Sequence, residues 1–191
     1  MRIAVADDDD EVLATLERML EALGHRVVFR ARTGRELVDH CVTAGADMIM
    51  TDIRMPDMDG LDAATIIYQQ APMPVILLSG YCDRELIQRA GENHVSAYLL
   101  KPITQAQLEP AIALASRRYE EFKALEKEAA DLRQTLADRK VIERAKGLMM
   151  KHLGIEEEEA FRRLQKLASS KNQKLVDIAE SILTAAEALN G

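Results

Sequence analysis

The chain has 191 residues, 48% apolar and 30% charged, with a net charge of −7. That length allows one ordinary domain and a smaller second one. Aromatics are 4% with no Trp, which argues against a stacking platform for single-stranded nucleic acid, and no apolar run approaches the roughly 20 residues that cross a bilayer.

Arg2–Ala6 is a short apolar run that turns at once into Asp7-Asp8-Asp9-Asp10. Such an acidic start is not that of an export signal. The expectation is a cytoplasmic protein, with Cys41 and Cys82 reduced and buried rather than bridged. An amphipathic stretch follows at Glu11–Leu23. Further apolar runs at Arg26–Ala31, Met48–Thr51, Val75–Ser79 and Ala97–Leu100 alternate with helical patterns such as Arg35–Thr43. Five short apolar strands alternating with helices predict an α/β fold, a doubly wound five-stranded parallel sheet covered on both faces. Ligands of such a sheet bind beyond the carboxyl ends of its strands.

Thr104 and Gln107 read as a capping box that opens a long helix. Pro110 sits early in it, at the cost of one backbone bond or a slight kink. Phe122, Leu125, Ala129, Leu132 and Leu136 follow one another at intervals of 3, 4, 3 and 4, a coiled-coil seam of about two heptads that ends at Arg139. A seam of this kind fits a dimer, or a helix laid against its own domain. Gly154 ends the helix as a C′ residue does. Helices are then expected at 156–170 and 175–189, with a turn at Asn172-Gln173. The three form a small bundle, with Leu148, Met149, Phe161, Leu164, Leu167, Leu175, Ile178, Ala179 and Ile182 as its expected core. The expected domains are 1–115, a coiled-coil linker helix at 116–138, and the three-helix domain at 139–191.

Charge is uneven along this plan. Residues 1–118 hold 12 Lys+Arg against 18 Asp+Glu, and residues 119–136 hold 3 against 5. Residues 137–191 hold 10 against 9, and four of those acids are the block 156–159. Acids at a helix start complement its dipole. Setting that block aside leaves a basic surface that permits a nucleic-acid partner.

The strand ends carry groups that an apolar run does not need: Asp7 and Asp8 after the first, Asp52 at the third, Ser79 at the fourth and Lys101 after the fifth. In a parallel sheet these share one rim. Three carboxylates that close repel one another, and a divalent cation such as Mg²⁺ relieves the repulsion. Lys101 adds a charge suited to phosphate. The chemistry that fits is phosphoryl transfer onto a carboxylate, with Asp as nucleophile. N-capping is the structural alternative for these aspartates, above all for Asp9 or Asp10.

Asp7-Asp8, the run from Asp52 through Ile53, Arg54, Met55, Pro56, Asp57, Met58 and Asp59 to Gly60, Ser79, and Lys101-Pro102 together resemble the receiver domain of response regulators over about 115 residues. The resemblance implies a flavodoxin-like fold and an Asp52 phosphorylated by a sensor histidine kinase. It implies Mg²⁺ held by Asp7, Asp8, Asp52 and the carbonyl of Arg54. Ser79 and Lys101 would bind the phosphoryl oxygens, and Ser79 and Tyr98 match the family's switch pair. For Tyr98 the alternative is a half-buried aromatic facing a helix that begins near Asp83. Gly80 departs from the small Ala usual there, and Asp10 from a common Pro.

From about Arg139 to Leu189 the chain resembles the ANTAR domain, an RNA-binding module of transcription antiterminators. The resemblance rests on Arg139, Ile142, Ala145-Lys146-Gly147, Leu148-Met149, Gly154, Ala160-Phe161, Leu164, Ala168, Leu175 and Ala179. It implies a homodimer formed on phosphorylation, binding to paired RNA hairpins with six-nucleotide loops, and antitermination. Lys140, Arg144, Lys146, Lys151, Arg163, Lys166, Lys171 and Lys174 are the candidate RNA contacts; Gln165 stands where a basic residue is common. Gly147 inside a helix invites a close approach, by a neighbouring helix or by RNA. The expected function is a response regulator with slow self-dephosphorylation and no other enzyme activity. The alternative output is protein interaction without RNA.

Overall fold

A computed structural model describes residues 1–80 and 95–190. The chain divides into two compact units, Met1–Lys123 and Ala124–Gly191. In the first, β1 (Arg2–Ala6), α1 (Asp10–Ala22), β2 (Arg26–Ala31), α2 (Gly34–His40), β3 (Met48–Asp52), α3 (Gly60–Gln70), β4 (Val75–Ser79) and β5 (Ala97–Leu100) lead into a long helix, α4 (Gln105–Leu153). The strands form one parallel sheet in the order β2-β1-β3-β4-β5. The expected doubly wound sheet is therefore present.

Strand periodicity explains why both faces are covered. Ala4, Ala6, Ile49 and Leu77 point to one face, where Leu37 of α2 and Leu61 and Ile67 of α3 meet them. Ile3, Val5, Met50 and Ile76 point to the other, against Leu13, Leu16 and Leu20 of α1 and Leu108 and Ile112 of α4. α2 stops at His40, three residues short of the expected Thr43. The capping box forms as expected: the Thr104 N–H donates to Gln107 Oε1 at 3.0 Å.

The register aligns the carboxyl ends. Ala6 stands beside Thr51, Asp52 beside Leu78, and Ser79 beside Leu100. The strand order reverses between β1 and β3, the place where doubly wound sheets bind ligands. Asp7 and Asp52 flank it.

The second unit packs the end of α4 with α5 (Glu157–Lys171) and α6 (Leu175–Asn190). Gly154 takes a left-handed φ of 62°, and its N–H donates to the Met150 carbonyl, so it ends α4 as expected. The core is Ala145, Met149, Ala160, Leu164, Ala168, Ile178 and Ala179. Of the expected core residues, Met149, Leu164, Ile178 and Ala179 are in it, while Phe161, 37% exposed, and Leu167 lie at the surface. Ala160, Leu164 and Ala168 make the inward stripe at intervals of four, which puts Phe161 and Leu167 on its two borders. Leu148, Leu175 and Ile182 are half-buried.

Candidate functional site

At the reversal point Asp7 and Asp52 are buried, while Asp8 beside them is exposed. One carboxylate oxygen from each of the three lies within 4.8 Å of the others. Lys101 Nζ donates to Asp7 Oδ2 at 2.6 Å and lies 3.1 Å from Asp52 Oδ1. Burial raises the pKa of Asp52 above its ordinary value. The Lys101 charge and hydrogen bond work against that rise, and Asp7 adds to it. Burial opposes the Lys101 charge too, but its bonds to Asp7 and Asp52 prevail and hold it above its ordinary value.

The neighbouring acids separate cleanly by role. Asp9 is the N-cap of α1, accepting the Glu11 N–H at 2.8 Å. Asp10 pairs with Arg32. Asp59 caps α3 through the Asp62 N–H at 2.7 Å. Asp7 caps no helix itself, but its Oδ1 accepts the N–H of the cap residue Asp9 at 3.1 Å.

The loop after β3 is held tightly. Its first N–H, that of Ile53, donates to the Leu78 carbonyl, and Gly60 N–H closes it onto the Ile53 carbonyl at 2.9 Å. Asp57 sits at a left-handed φ of 65°. A Cβ at Gly60 would lie 1.9 Å from the carbonyl oxygen of Asp52, so no larger residue fits. Arg54, whose carbonyl the sequence nominates, is on this loop with its side chain exposed. Ser79 is buried at the end of β4, and its carbonyl accepts the Lys101 N–H at 2.7 Å. Tyr98 is 51% exposed, so it is not the half-buried aromatic of the structural alternative. Cys41 is a buried free thiol. Cys82 and the helix expected near Asp83 lie outside the described residues.

The donor set suits Mg²⁺: hard carboxylate oxygens converge, two of them with little water to neutralise their charge. Lys101 compensates only part of it.

In the second unit the basic candidates fall into two groups. Lys146 is buried, with its ammonium 2.8 Å from Glu143 and 2.7 Å from Glu157. Arg163 is bound to Glu159 at 2.8 Å, and Arg144 reaches Glu187 only at 3.8 Å. Lys140, Lys151, Lys166, Lys171 and Lys174 are exposed, with no ion pair among the described residues. Nothing in the spacing of Lys146 signalled its burial, since its second partner lies eleven residues away beyond the turn. On the seam Leu125, Leu132 and Leu136 are 65%, 59% and 61% exposed, and Ala129 is half-buried. Phe122 differs, because its ring stands edge-on to Tyr68 at 6.4 Å.

Comparison with known proteins places these features. The response regulator receiver domain model matches residues 3–113. The chain is a response regulator. An ANTAR domain model matches residues 130–183 of this response regulator. Over 182 residues it is 36% identical to the transcriptional regulatory protein PdtaR of Mycobacterium tuberculosis, covering 95% of this chain and 89% of that one. It is 34% identical over 114 residues to the DNA-binding transcriptional regulator NtrC of Klebsiella pneumoniae, covering 59% of this chain and 24% of that one. Its first unit resembles the signal receiver domain of a modulated diguanylate cyclase from Desulfovibrio desulfuricans, with a TM-score of 0.59, 27% identity, and coverage of 62% of this chain and 95% of that one. A CheY-like receiver domain protein from Methanospirillum hungatei gives 0.58, 26%, 63% and 96%.

The response regulator thus joins a receiver module to an ANTAR RNA-binding module, a two-component signalling protein with an antiterminator output. Neither is a catalytic family. A sensor kinase is the partner a receiver implies, and RNA the partner an ANTAR domain implies. Receiver domains bind Mg²⁺ at an acidic pocket, and Asp7, Asp8 and Asp52 form one here. Among the described residues no helix is long and apolar enough to cross a membrane.

Proposed function

We propose that Asp52 is the phosphoacceptor of this response regulator. A carboxylate oxygen of Asp52 attacks the phosphorus of a kinase phosphohistidine; the O–P bond forms as the N–P bond breaks, and the imidazole leaves with the electron pair. Asp7, Asp8, Asp52 and the Arg54 carbonyl hold Mg²⁺, which when bound offsets negative charge on the transferring group. Lys101, already poised between Asp7 and Asp52, shifts to the phosphoryl oxygens together with Ser79. The single observation that carries this reading is a lysine ammonium 2.6 Å and 3.1 Å from two buried aspartates at the reversal point of the sheet.

The added charge of roughly −1.5 to −2 needs a two-state element to bias. That element is the seam Phe122, Leu125, Ala129, Leu132 and Leu136, which buries itself against a second copy. The dimer binds paired RNA hairpins with six-nucleotide loops and prevents termination, in the cytoplasm. The phosphoryl group is lost slowly by hydrolysis at the same site. Asp52→Asn is expected to abolish Mg²⁺-dependent labelling by a small acyl-phosphate donor, and undiminished labelling would move the acceptor elsewhere. A second reading, a protein-interaction output without RNA, is favoured by one observation: several ANTAR cations are already neutralised by glutamates. Direct titration of the phosphorylated chain with a two-hairpin RNA decides between them.

A further inference from the structure

Gly147 lies well inside α4, where glycine is the poorest helix former after proline. Among the described residues, nothing lies within 4 Å of the position its Cβ would take. No neighbouring helix therefore needs a notch there, and the packing explanation for this glycine fails. Its companions on the helix are informative. Lys140, Arg144, Gly147 and Lys151 are spaced by 4, 3 and 4 residues, which at 100° per residue gathers them within an arc of about 60°. At a rise of about 1.5 Å per residue the stripe runs for about 16 Å.

All four residues are exposed. Arg144 meets Glu187 only at 3.8 Å, and neither Lys140 nor Lys151 has an ion pair among the described residues. Other cations of the bundle are engaged, the buried Lys146 by Glu143 and Glu157, and Arg162 and Arg163 on α5 by Glu158 and Glu159; on α5 Lys166 and Lys171 stay exposed, without an ion pair among the described residues. Beside Gly147 a shallow recess of about 310 Å³ opens between α4 and α6, bordered by Arg144, Lys151, Leu183 and Glu187.

We propose that the Lys140–Arg144–Gly147–Lys151 face of α4 is where the sugar-phosphate backbone of RNA lies, the absent side chain at 147 letting it approach the helix. This rests on the RNA-binding reading above. A phosphodiester chain asks for cations at intervals with room for sugars between them, and this stripe supplies both. A second copy of the chain is a poorer occupant, because a self-complementary contact would set three like charges against their own copies.

The test uses the full chain, with and without an acyl-phosphate donor, and an RNA of two adjacent hairpins with six-nucleotide loops. Gly147→Gln and Gly147→Ala place better helix formers in open space, so their thermal midpoints should equal or exceed that of the unsubstituted chain. RNA affinity should nevertheless fall, at least tenfold for Gly147→Gln and less for Gly147→Ala. The triple change Lys140→Gln, Arg144→Gln, Lys151→Gln should flatten the dependence of log affinity on log salt by about 2–3, as fewer counterions are released. Binding by Gly147→Gln within twofold of the unsubstituted chain overturns the proposal, as does an unchanged salt slope. Loss of self-association by Gly147→Gln without RNA gives the face to a second copy and also overturns it. Failure of the unsubstituted chain to bind RNA in either state is a different result, and it sinks the RNA-binding reading itself.

Discussion

Gly60 lies where the chain leaves the acidic pocket, its α-carbon against the carbonyl of Asp52. Gly60→Ala forces that carbonyl to move, at an expected cost of about 1–3 kcal/mol, the usual scale for overpacking. Denaturant titration measures the cost, and labelling by a phosphodonor should fall with it, because the displaced residue carries the proposed acceptor. Unchanged stability and labelling would mean that the loop yields freely. A second residue, Cys41, is fully buried, and burial pushes its thiol up to about 11. In a Cys82→Ser chain, a thiol reagent should therefore react only as fast as the protein opens; prompt reaction would show that the α2 side of the core is loose. The pocket itself was legible in the sequence. A charged residue that ends an apolar strand has no packing reason to be there, and Asp7, Asp52 and Lys101 all do this. The role of Gly60 was not legible, because the atom it must avoid is fixed by the path of the loop.

At the scale of elements, periodicity foretold each helix of the ANTAR bundle but not the balance within it. The inward stripe of α5 is small, two alanines around Leu164, and so the larger Phe161 and Leu167 are left at its borders. A preference for large apolar residues in the core points the wrong way at such a site. Lys146 misled for the opposite reason, since a lysine read as a surface cation is buried between two glutamates. That arrangement has a pH signature. Hydrogen bonds from Lys146 and Arg163 hold Glu157 and Glu159 below their ordinary value of 4.5, and hydrogen bonds to Glu143 and Glu157 hold Lys146 above 10.5. Lowered carboxylates stabilise the fold above about pH 4.5 and lose that effect as pH falls through their folded values. The raised ammonium stabilises below about 10.5 and loses its effect as pH rises through its folded value. Lys146→Met should therefore lower the thermal midpoint most within that window, with the difference shrinking on the acid side. A difference constant down to pH 3 would remove the ion pair from the account. The seam of α4 carries the complementary prediction. Leu132 is already in water, so Leu132→Lys should change monomer stability by less than about 0.5 kcal/mol. It should still block any self-association that phosphorylation induces, and an unchanged sedimentation shift would take the seam out of the mechanism.

For the whole molecule, the two units have separate apolar cores, those of the receiver fed from both faces of the sheet and that of the ANTAR bundle built largely from alanine. A chain with more than one core need not unfold in a single step. Two calorimetric transitions are expected, the weaker belonging to the bundle, because a small domain buries a smaller share of its surface. Leu164→Ala should lower that transition alone, by about 2–5 kcal/mol. Mg²⁺ provides the converse test. Asp7, Asp8 and Asp52 all belong to the first unit. A cation held there stabilises only the fold that assembles the three carboxylates, by about 2.7 kcal/mol at a hundredfold excess over its dissociation constant. The receiver transition should rise with Mg²⁺ while the bundle transition stays fixed, and Asp7→Asn should remove most of the rise. If both transitions climb together, the units do not melt independently and α4 couples them. If neither moves, the acidic pocket does not hold the cation, and the phosphoryl chemistry placed at Asp52 loses its charge partner.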